Sequence, residues 1–111
     1  MVTQLAPTQL SHWLQTVHGQ ATVLDVREPF EVQAASVQAH GFTLLHIPMA
    51  LVPLRLSELD PTQPVACLCH YGVRSQQVAH FLAQHGFTQV ANITGGIDAW
   101  STTLDSGVAR Y

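Results

Sequence analysis

The fold is decided by residues 65–86, which read VACLCHYGVRSQQVAHFLAQHG. Residues 65–69 form a short apolar run with little polar alternation, which is typical of a strand buried on both faces. Residues 73–85 place Val78, Phe81 and Leu82 on one helical face, and Gly86 follows as a stop signal. A buried strand, a loop and an amphipathic helix in this order predict one unit of a parallel α/β sheet.

The rest of the chain repeats this alternation of short apolar runs and helical patterns. Further strands are predicted at 23–26, 44–47 and 89–93, with an edge strand at 3–5. Further helices are predicted from Pro7, from Pro29 to about Ser36, from Pro53 to near Leu59, and after Gly95-Gly96 through Trp100. We expect a three-layer α/β domain in which a central parallel sheet of about five strands is flanked by helices. Its length suits a single domain over residues 1–111.

Composition excludes several classes of function. Only 10% of the residues are charged, the formal net charge is −3, and the four cations are scattered arginines at 27, 55, 74 and 110. A nucleic-acid binding surface needs clustered cations, so we expect no nucleic-acid partner. No apolar run approaches the roughly 18 residues that span a bilayer, and the N-terminus lacks a signal-peptide pattern, so we expect no membrane partner.

The two cysteines, Cys67 and Cys69, lie two apart in the predicted strand. Their side chains therefore leave the same face about 6.6 Å apart at the backbone. Parallel side chains at that separation suit a disulfide poorly, and two cysteines do not make a disulfide framework. We expect reduced thiols and a cytoplasmic location.

The chemistry is predicted in the loop from Cys69 to Ser75, between the strand and the helix. Backbone N–H groups of such a loop and the dipole of the following helix favour a bound anion. A cysteine at the start of the loop lies where its thiolate is favoured. Gly72 allows a tight turn, and Arg74 offers a planar fork to an oxyanion. Cys67 lies inside the strand and is interpreted as core packing.

Three motifs in this order resemble the single-domain rhodaneses over nearly the whole chain. They are Leu24-Asp25-Val26-Arg27-Glu28-Pro29 at a strand end, the loop from Cys69 to Ser75, and Gly95-Gly96-Ile97-Asp98-Ala99-Trp100 near the end. The resemblance implies a two-step transfer in which a thiolate takes sulfane sulfur from a donor such as thiosulfate and passes it on from a persulfide.

Carried onto this sequence, the resemblance makes Cys69 the nucleophile and persulfide carrier. The loop residues His70, Tyr71, Gly72, Val73, Arg74 and Ser75 would bind the donor through backbone N–H groups, with Arg74 helping to hold it. The implied partners are a small anionic sulfur donor, a thiol or cyanide acceptor, and a protein sulfur acceptor as a further option. No cofactor is implied.

Two alternatives stay open at this point. One is a cysteine-based phosphatase or arsenate reductase of related fold; four residues separate Cys69 from Arg74, whereas phosphatases with a comparable loop place five there. The other is a rhodanese-like module that binds a partner without turnover. Residues 35–43 lack the Gly-His-Ile-Pro-Gly-Ala motif common in the family, and His46-Ile47-Pro48 is interpreted as a strand end.

The remaining candidates have weaker signals. Asp25, Arg27 and Glu28 lie at the C-terminal end of a strand, where ligands approach open sheets, although helix capping and an ion pair that braces the loops are favoured over substrate contact. None of the seven histidines shows metal-ligand spacing, so no metal is expected. The side chains of His70 and Tyr71 either tune access to Cys69 or point to solvent. The two tryptophans, Trp13 and Trp100, are expected in the core.

Overall fold

Five short strands form one parallel sheet in the computed structural model of the chain, which describes residues 1–111. The strands are β1 (Val2–Leu5), β2 (Thr22–Asp25), β3 (Thr43–His46), β4 (Val65–Leu68) and β5 (Val90–Ile93), and their order across the sheet is β1-β5-β4-β2-β3. All neighbouring strands run parallel, and β1 is an edge strand paired with β5. The predicted sheet is confirmed, including its edge strand.

The strands are joined by helices. The α-helices are α1 (Leu10–Thr16), α2 (Pro29–Ala34), α3 (Val73–Gln84) and α4 (Gly96–Thr103), and short 3₁₀ turns lie at Pro7–Gln9, Met49–Leu51 and Leu56–Glu58. Proline opens α2 as it opens the turn before α1, because its fixed φ suits the first helical position. None of these helices is long and apolar enough to cross a membrane.

Helices cover both faces of the sheet and give three layers. On one face, Trp13 of α1 and Trp100 of α4 pack in a core cluster with Leu68 of β4. On the other face, Leu82 of α3 packs with Leu24 and other buried strand residues. This two-sided burial explains why the strand sequences are apolar with little alternation, and it confirms the expectation that both tryptophans lie in the core.

The helix predicted from Pro53 to near Leu59 is wrong. The segment forms a turn followed by the 3₁₀ helix Leu56–Glu58. Val52 and Leu59 are buried at its two ends, but Leu54 between them is 82% exposed. The segment is thus anchored at its ends and presents no apolar stripe that would stabilise a longer α-helix.

Residues 35–43, where the expected motif is missing, run from α2 to β3 without regular structure until the strand begins. Ala35 and Val37 are buried in the core and tie this segment to the sheet. The strand β3 ends at His46, and Ile47 is fully buried with its N–H donating to the Asp25 carbonyl at 3.0 Å. The interpretation of 46–48 as a strand end is therefore confirmed.

Gly96 brings the start of α4 against the loop that follows β4. The N–H groups of Ile97 and Asp98 donate to the carbonyls of Cys69 and His70 at 2.9 and 3.1 Å. A Cβ atom on Gly96 would overlap both of these carbonyl oxygens. Only glycine permits this approach, so α4 supports the loop directly.

We predict that Gly96→Ala destabilises the fold by more than Gly86→Ala. Both glycines have positive φ, +59° and +91°, so both substitutions carry the left-handed backbone cost of about 1–2 kcal/mol. Only in Gly96→Ala would the new Cβ also overlap backbone atoms, because a Cβ on Gly86 would meet no atom within 4 Å. Denaturant unfolding of the two variants measures the difference, and equal losses would contradict the role assigned to Gly96.

Candidate active site

Cys69 follows the last residue of β4 and lies at the carboxyl edge of the sheet, with only 1% of its surface exposed. Gly72 donates its N–H to Sγ of Cys69 at 3.1 Å, and Oγ of Ser75 lies 3.2 Å from the same sulfur. Gly72 has a φ of +104°, which turns the loop back toward the cysteine. The predicted loop therefore folds around the sulfur.

Most of the loop's backbone donors have no acceptor within the protein. Among the N–H groups of residues 70–75, only that of Gly72 is hydrogen-bonded, and its acceptor is the cysteine sulfur. The N–H groups at 73–75 belong to the first turn of α3, where the helix leaves its donors free and its dipole is positive. The loop can thus donate several hydrogen bonds to an anion next to Cys69.

Arg74 binds a residue that the sequence analysis did not single out. Its Nη1 and Nη2 donate to the two carboxylate oxygens of Glu31 in α2 at 2.7 and 2.8 Å. The Arg74 hydrogen bonds lower the pKa of Glu31 to about 2, and the same bonds raise the pKa of Arg74. Glu31 is 7% exposed at its side chain and Arg74 34%. The pair links the loop to α2.

Asp25 and Arg27 form a buried ion pair beside the loop. Arg27 is 0% exposed, and its Nε and Nη2 donate to the two Asp25 oxygens at 2.9 and 2.7 Å. Its terminal nitrogens also donate to the carbonyls of Glu31 and Ala35 at 3.2 and 2.8 Å. In this arrangement Arg27 braces the segment after β2 and has no exposed surface for substrate.

Glu28 lies at the start of α2, as helix capping requires. Its backbone N–H donates to Oε2 of Glu31 at 2.9 Å, which closes the first turn of the helix. The same Glu31 carboxylate therefore caps α2 and binds Arg74. Glu31 lies three residues after the capping residue Glu28, and this spacing is the sequence signal that could have identified Glu31.

Tyr111 also belongs to the site, although no motif pointed to it. Its hydroxyl donates to Oε1 of Glu31 at 2.9 Å and accepts from Nη1 of Arg27 at 3.1 Å. Burial raises the pKa of the Tyr111 hydroxyl, so the group is a neutral donor at neutral pH. Its position depends on contacts with residues 80 or more positions away in the chain, which sequence patterns do not reveal.

The His70 ring lies between two tyrosines. Its centroid is 3.9 Å from that of Tyr71 and 3.9 Å from that of Tyr111, with both pairs stacked. Tyr71 and Val73 are exposed, at 60% and 68%. Among the predicted loop residues, Cys69, Gly72 and Ser75 make direct contacts with one another at the sulfur.

Ser75 is linked further to Asn92, a buried polar residue in the middle of β5. The Ser75 hydroxyl donates to Oδ1 of Asn92 at 2.6 Å, and Asn92 is 3% exposed. Nδ2 of Asn92 lies 3.4 Å from the Gly72 carbonyl and 3.1 Å from Oε1 of Gln4. A polar residue inside the apolar run of β5 is the signal that sequence reasoning passed over.

Cys67 lies two residues before Cys69 and is fully buried in the core. Burial raises the pKa of its thiol, which keeps it protonated and unreactive. Its interpretation as a packing residue is confirmed. No three His, Cys, Asp or Glu side chains come together in an arrangement that could hold a metal ion.

The chain is similar to known proteins in both sequence and structure. The family model of the rhodanese-like domain matches residues 6–103. A solved structure, the polysulfide-sulfur transferase homodimer from Wolinella succinogenes, is 28% identical and superimposes with a TM-score of 0.75 over 99% of this chain and 80% of that one.

Three curated proteins are similar in sequence. A chloroplastic rhodanese-like/PpiC domain-containing protein from Arabidopsis thaliana is 39% identical over 83% of this chain, which spans only 31% of that protein. A sulfurtransferase from Allochromatium vinosum is 33% identical over 91% of this chain and 90% of its own length. The thiosulfate sulfurtransferase GlpE of Vibrio cholerae is 31% identical over 73% of each chain. From the matched residues, the sheet order and these relatives together, the chain belongs to the rhodanese-like domain family.

Proposed function

We propose that this chain is a sulfurtransferase that moves sulfane sulfur from an anionic donor such as thiosulfate to cyanide or a thiol through a persulfide on Cys69. The observation that carries the proposal is the pairing of the Cys69 sulfur with a loop whose backbone N–H groups are free to bind an anion. The similarity to a sulfurtransferase and to a thiosulfate sulfurtransferase supports this class of reaction.

In the first step the Cys69 thiolate attacks the outer sulfur of thiosulfate. A bond forms between Sγ and this sulfur, the S–S bond of thiosulfate breaks, and sulfite leaves with the electron pair. In the second step cyanide attacks the outer persulfide sulfur, thiocyanate leaves, and the Cys69 thiolate is restored. The loop N–H groups stabilise the negative charge that lies beside Cys69 in both steps.

Arg74 is proposed to assist the first step while it remains bound to Glu31. A guanidinium has five N–H groups, and the two bonds to Glu31 leave the others available to an oxyanion. About a third of the Arg74 side chain is exposed, so a small anion can reach it. Thiosulfate has anionic oxygens that can accept hydrogen bonds from Arg74, whereas cyanide has no such oxygens and does not need the guanidinium.

The loop from Cys69 to Arg74 is one residue shorter than the comparable phosphatase loop, which favours sulfur over phosphorus as the reacting centre. Four residues separate Cys69 from Arg74, and the sulfur is almost fully buried beneath the loop. A protein thiol is proposed as an alternative final acceptor. Two free cysteines two positions apart agree with function in a reducing compartment, for which we propose the cytoplasm.

Substitution of the two cysteines tests the sulfur carrier. After incubation with thiosulfate, the intact mass of the wild-type protein should rise by one sulfur atom, and cyanide should remove it. Cys69→Ser should abolish this gain because no other thiol lies in the loop, while Cys67→Ser should keep it. A folded Cys67→Ser variant that fails to load, together with a Cys69→Ser variant that loads, would show that the carrier is assigned to the wrong cysteine.

Arg74→Ala tests the anion contact. We expect a loss of about 1.5–3 kcal/mol of charge-assisted hydrogen bonding to thiosulfate, or roughly a tenfold to hundredfold slower loading. Arg74→Lys should recover part of this rate because it keeps the charge without the fork. Discharge of a preformed persulfide by cyanide should change much less. Stopped-flow measurement separates the two steps, and equal losses in both would mean that Arg74 only braces the loop.

The Arg74–Glu31 pair should also appear in the pH dependence of stability. Because the pKa of Glu31 is about 2 in the folded protein and about 4.3 when unfolded, its ionised form stabilises the fold above about pH 4.5. This contribution, on the order of 2–3 kcal/mol, should be lost as the pH falls from 4.5 toward 2.

Glu31→Gln should remove that part of the pH dependence of the unfolding free energy. Glu58→Gln is the matched control, since Glu58 also pairs with an arginine but lies on the surface, where such pairs contribute little. The assignment fails if urea unfolding between pH 2 and 7 gives the two variants the same pH profile.

A further inference from the structure

The orientation of the Asn92 amide is fixed by its neighbours. One end of the amide faces the carbonyl oxygen of Gly72 at 3.4 Å, and a carbonyl oxygen can only accept a hydrogen bond. That end must therefore be the NH₂ group, which also donates to Oε1 of Gln4 at 3.1 Å. The opposite end is then Oδ1, and it can only accept from Ser75.

The Ser75 hydroxyl has one proton, and this geometry directs it to Asn92. The distance from Oγ of Ser75 to Oδ1 of Asn92 is 2.6 Å, whereas that to Sγ of Cys69 is 3.2 Å. Ser75 thus presents lone pairs to the sulfur. A hydrogen bond between the two side chains then needs the proton of the Cys69 thiol itself, with S–H donating to Oγ.

The thiolate loses this bond. Without its proton, the Cys69 sulfur faces the lone pairs of Ser75 unless the hydroxyl rotates toward it. Rotation would leave Oδ1 of Asn92, which is buried in β5, without a donor, and an unpaired buried acceptor is unfavourable. Either way, the Ser75–Asn92 contact favours the thiol form.

We propose that Asn92 is a positioning residue that accepts the hydrogen bond of the Ser75 hydroxyl, so that Ser75 presents its lone pairs to Cys69 and favours the thiol over the thiolate. The inference rests on the proposed role of Cys69 as the sulfur carrier. The Ser75–Asn92 pair opposes the loop N–H groups, which favour the thiolate. Asn92 acts through Ser75 and does not touch the sulfur.

Other groups around Cys69 also influence its protonation. Cys67 in β4 and Arg74 in α3 interact electrostatically with Cys69, and His70 adjoins it in the loop. The other charged and titratable groups of the site are linked to these residues and to one another: Glu31 in α2, the Asp25–Arg27 pair after β2, and Tyr111. Asn92 and Ser75 carry no charge. Substituting them leaves these charges in place, so a change in the pH dependence reports on the hydroxyl orientation.

The test is the rate of Cys69 alkylation by iodoacetamide against pH, in the full chain with Cys67→Ser so that one thiol reacts. Asn92→Leu should move the midpoint of this profile down by about one pH unit, as expected for one hydrogen bond gained by the thiolate. Ser75→Ala should also lower the midpoint, because the thiol loses its acceptor. In the Ser75→Ala background, Asn92→Leu should cause no further shift.

The sign of the Ser75→Ala shift keeps the proposal falsifiable even if Asn92→Leu does not fold. An unchanged or raised midpoint in Ser75→Ala would mean that the hydroxyl already donates to the sulfur. An unchanged midpoint in a folded Asn92→Leu variant, or a shift that persists without Ser75, would overturn the proposal equally. A purely structural role would lower only the thermal unfolding midpoint. Since alkylation needs no sulfur transfer, failure to load thiosulfate would count against the proposed function alone.

Discussion

The site depends on the buried guanidinium of Arg27. Burial by itself lowers the pKa of an arginine, yet the hydrogen bonds that Arg27 donates to Asp25 and Tyr111 more than offset this and raise its pKa, so Arg27 stays charged. A buried charge without its partners is strongly destabilising, so the surrounding segments must supply them. The end of β2 supplies Asp25, α2 and the residue after it supply two carbonyls, and Tyr111 supplies its hydroxyl. Three separate parts of the chain are held together at one point.

This arrangement determines how the loop of the candidate active site is held. With α2 fixed by Arg27, its Glu31 carboxylate lies where it can bind Arg74, and α4 supports the other side of the loop at the Cys69 and His70 carbonyls. The two arginines are matched by Asp25 and Glu31, so these four charges cancel locally. Besides the proposed contact with the remaining N–H groups of Arg74, attraction for an anion at Cys69 would come from the free backbone N–H groups, whose dipoles are fixed before any donor arrives.

Sequence patterns predicted what depends on local periodicity and burial. The five strands, α3 and the cysteine loop follow from short apolar runs and one amphipathic face. The segment after Pro53 was misassigned because its buried residues anchor only its ends. Glu31, Asn92 and Tyr111 were missed because their roles come from hydrogen bonds to residues 43, 17 and 80 positions away. No periodicity encodes such contacts, although a polar residue within a buried strand is a usable signal.

Two sets of uncharged groups then act on Cys69 in opposite directions. The N–H of Gly72 donates to the sulfur and favours the thiolate, while in the proposed arrangement Ser75 donates its own hydrogen bond to Asn92 and accepts one from the thiol. In the proposed reaction the thiolate attacks the donor, but the thiolate is also the form that oxidants attack. In the proposed reaction, a donor anion that occupies the free N–H groups would place its outer sulfur beside Cys69, and bond formation would remove the negative charge from Sγ. The neutral sulfur that results has no S–H to donate and no charge that Ser75 disfavours, so the loop can hold the persulfide without rearranging the Ser75–Asn92 bond.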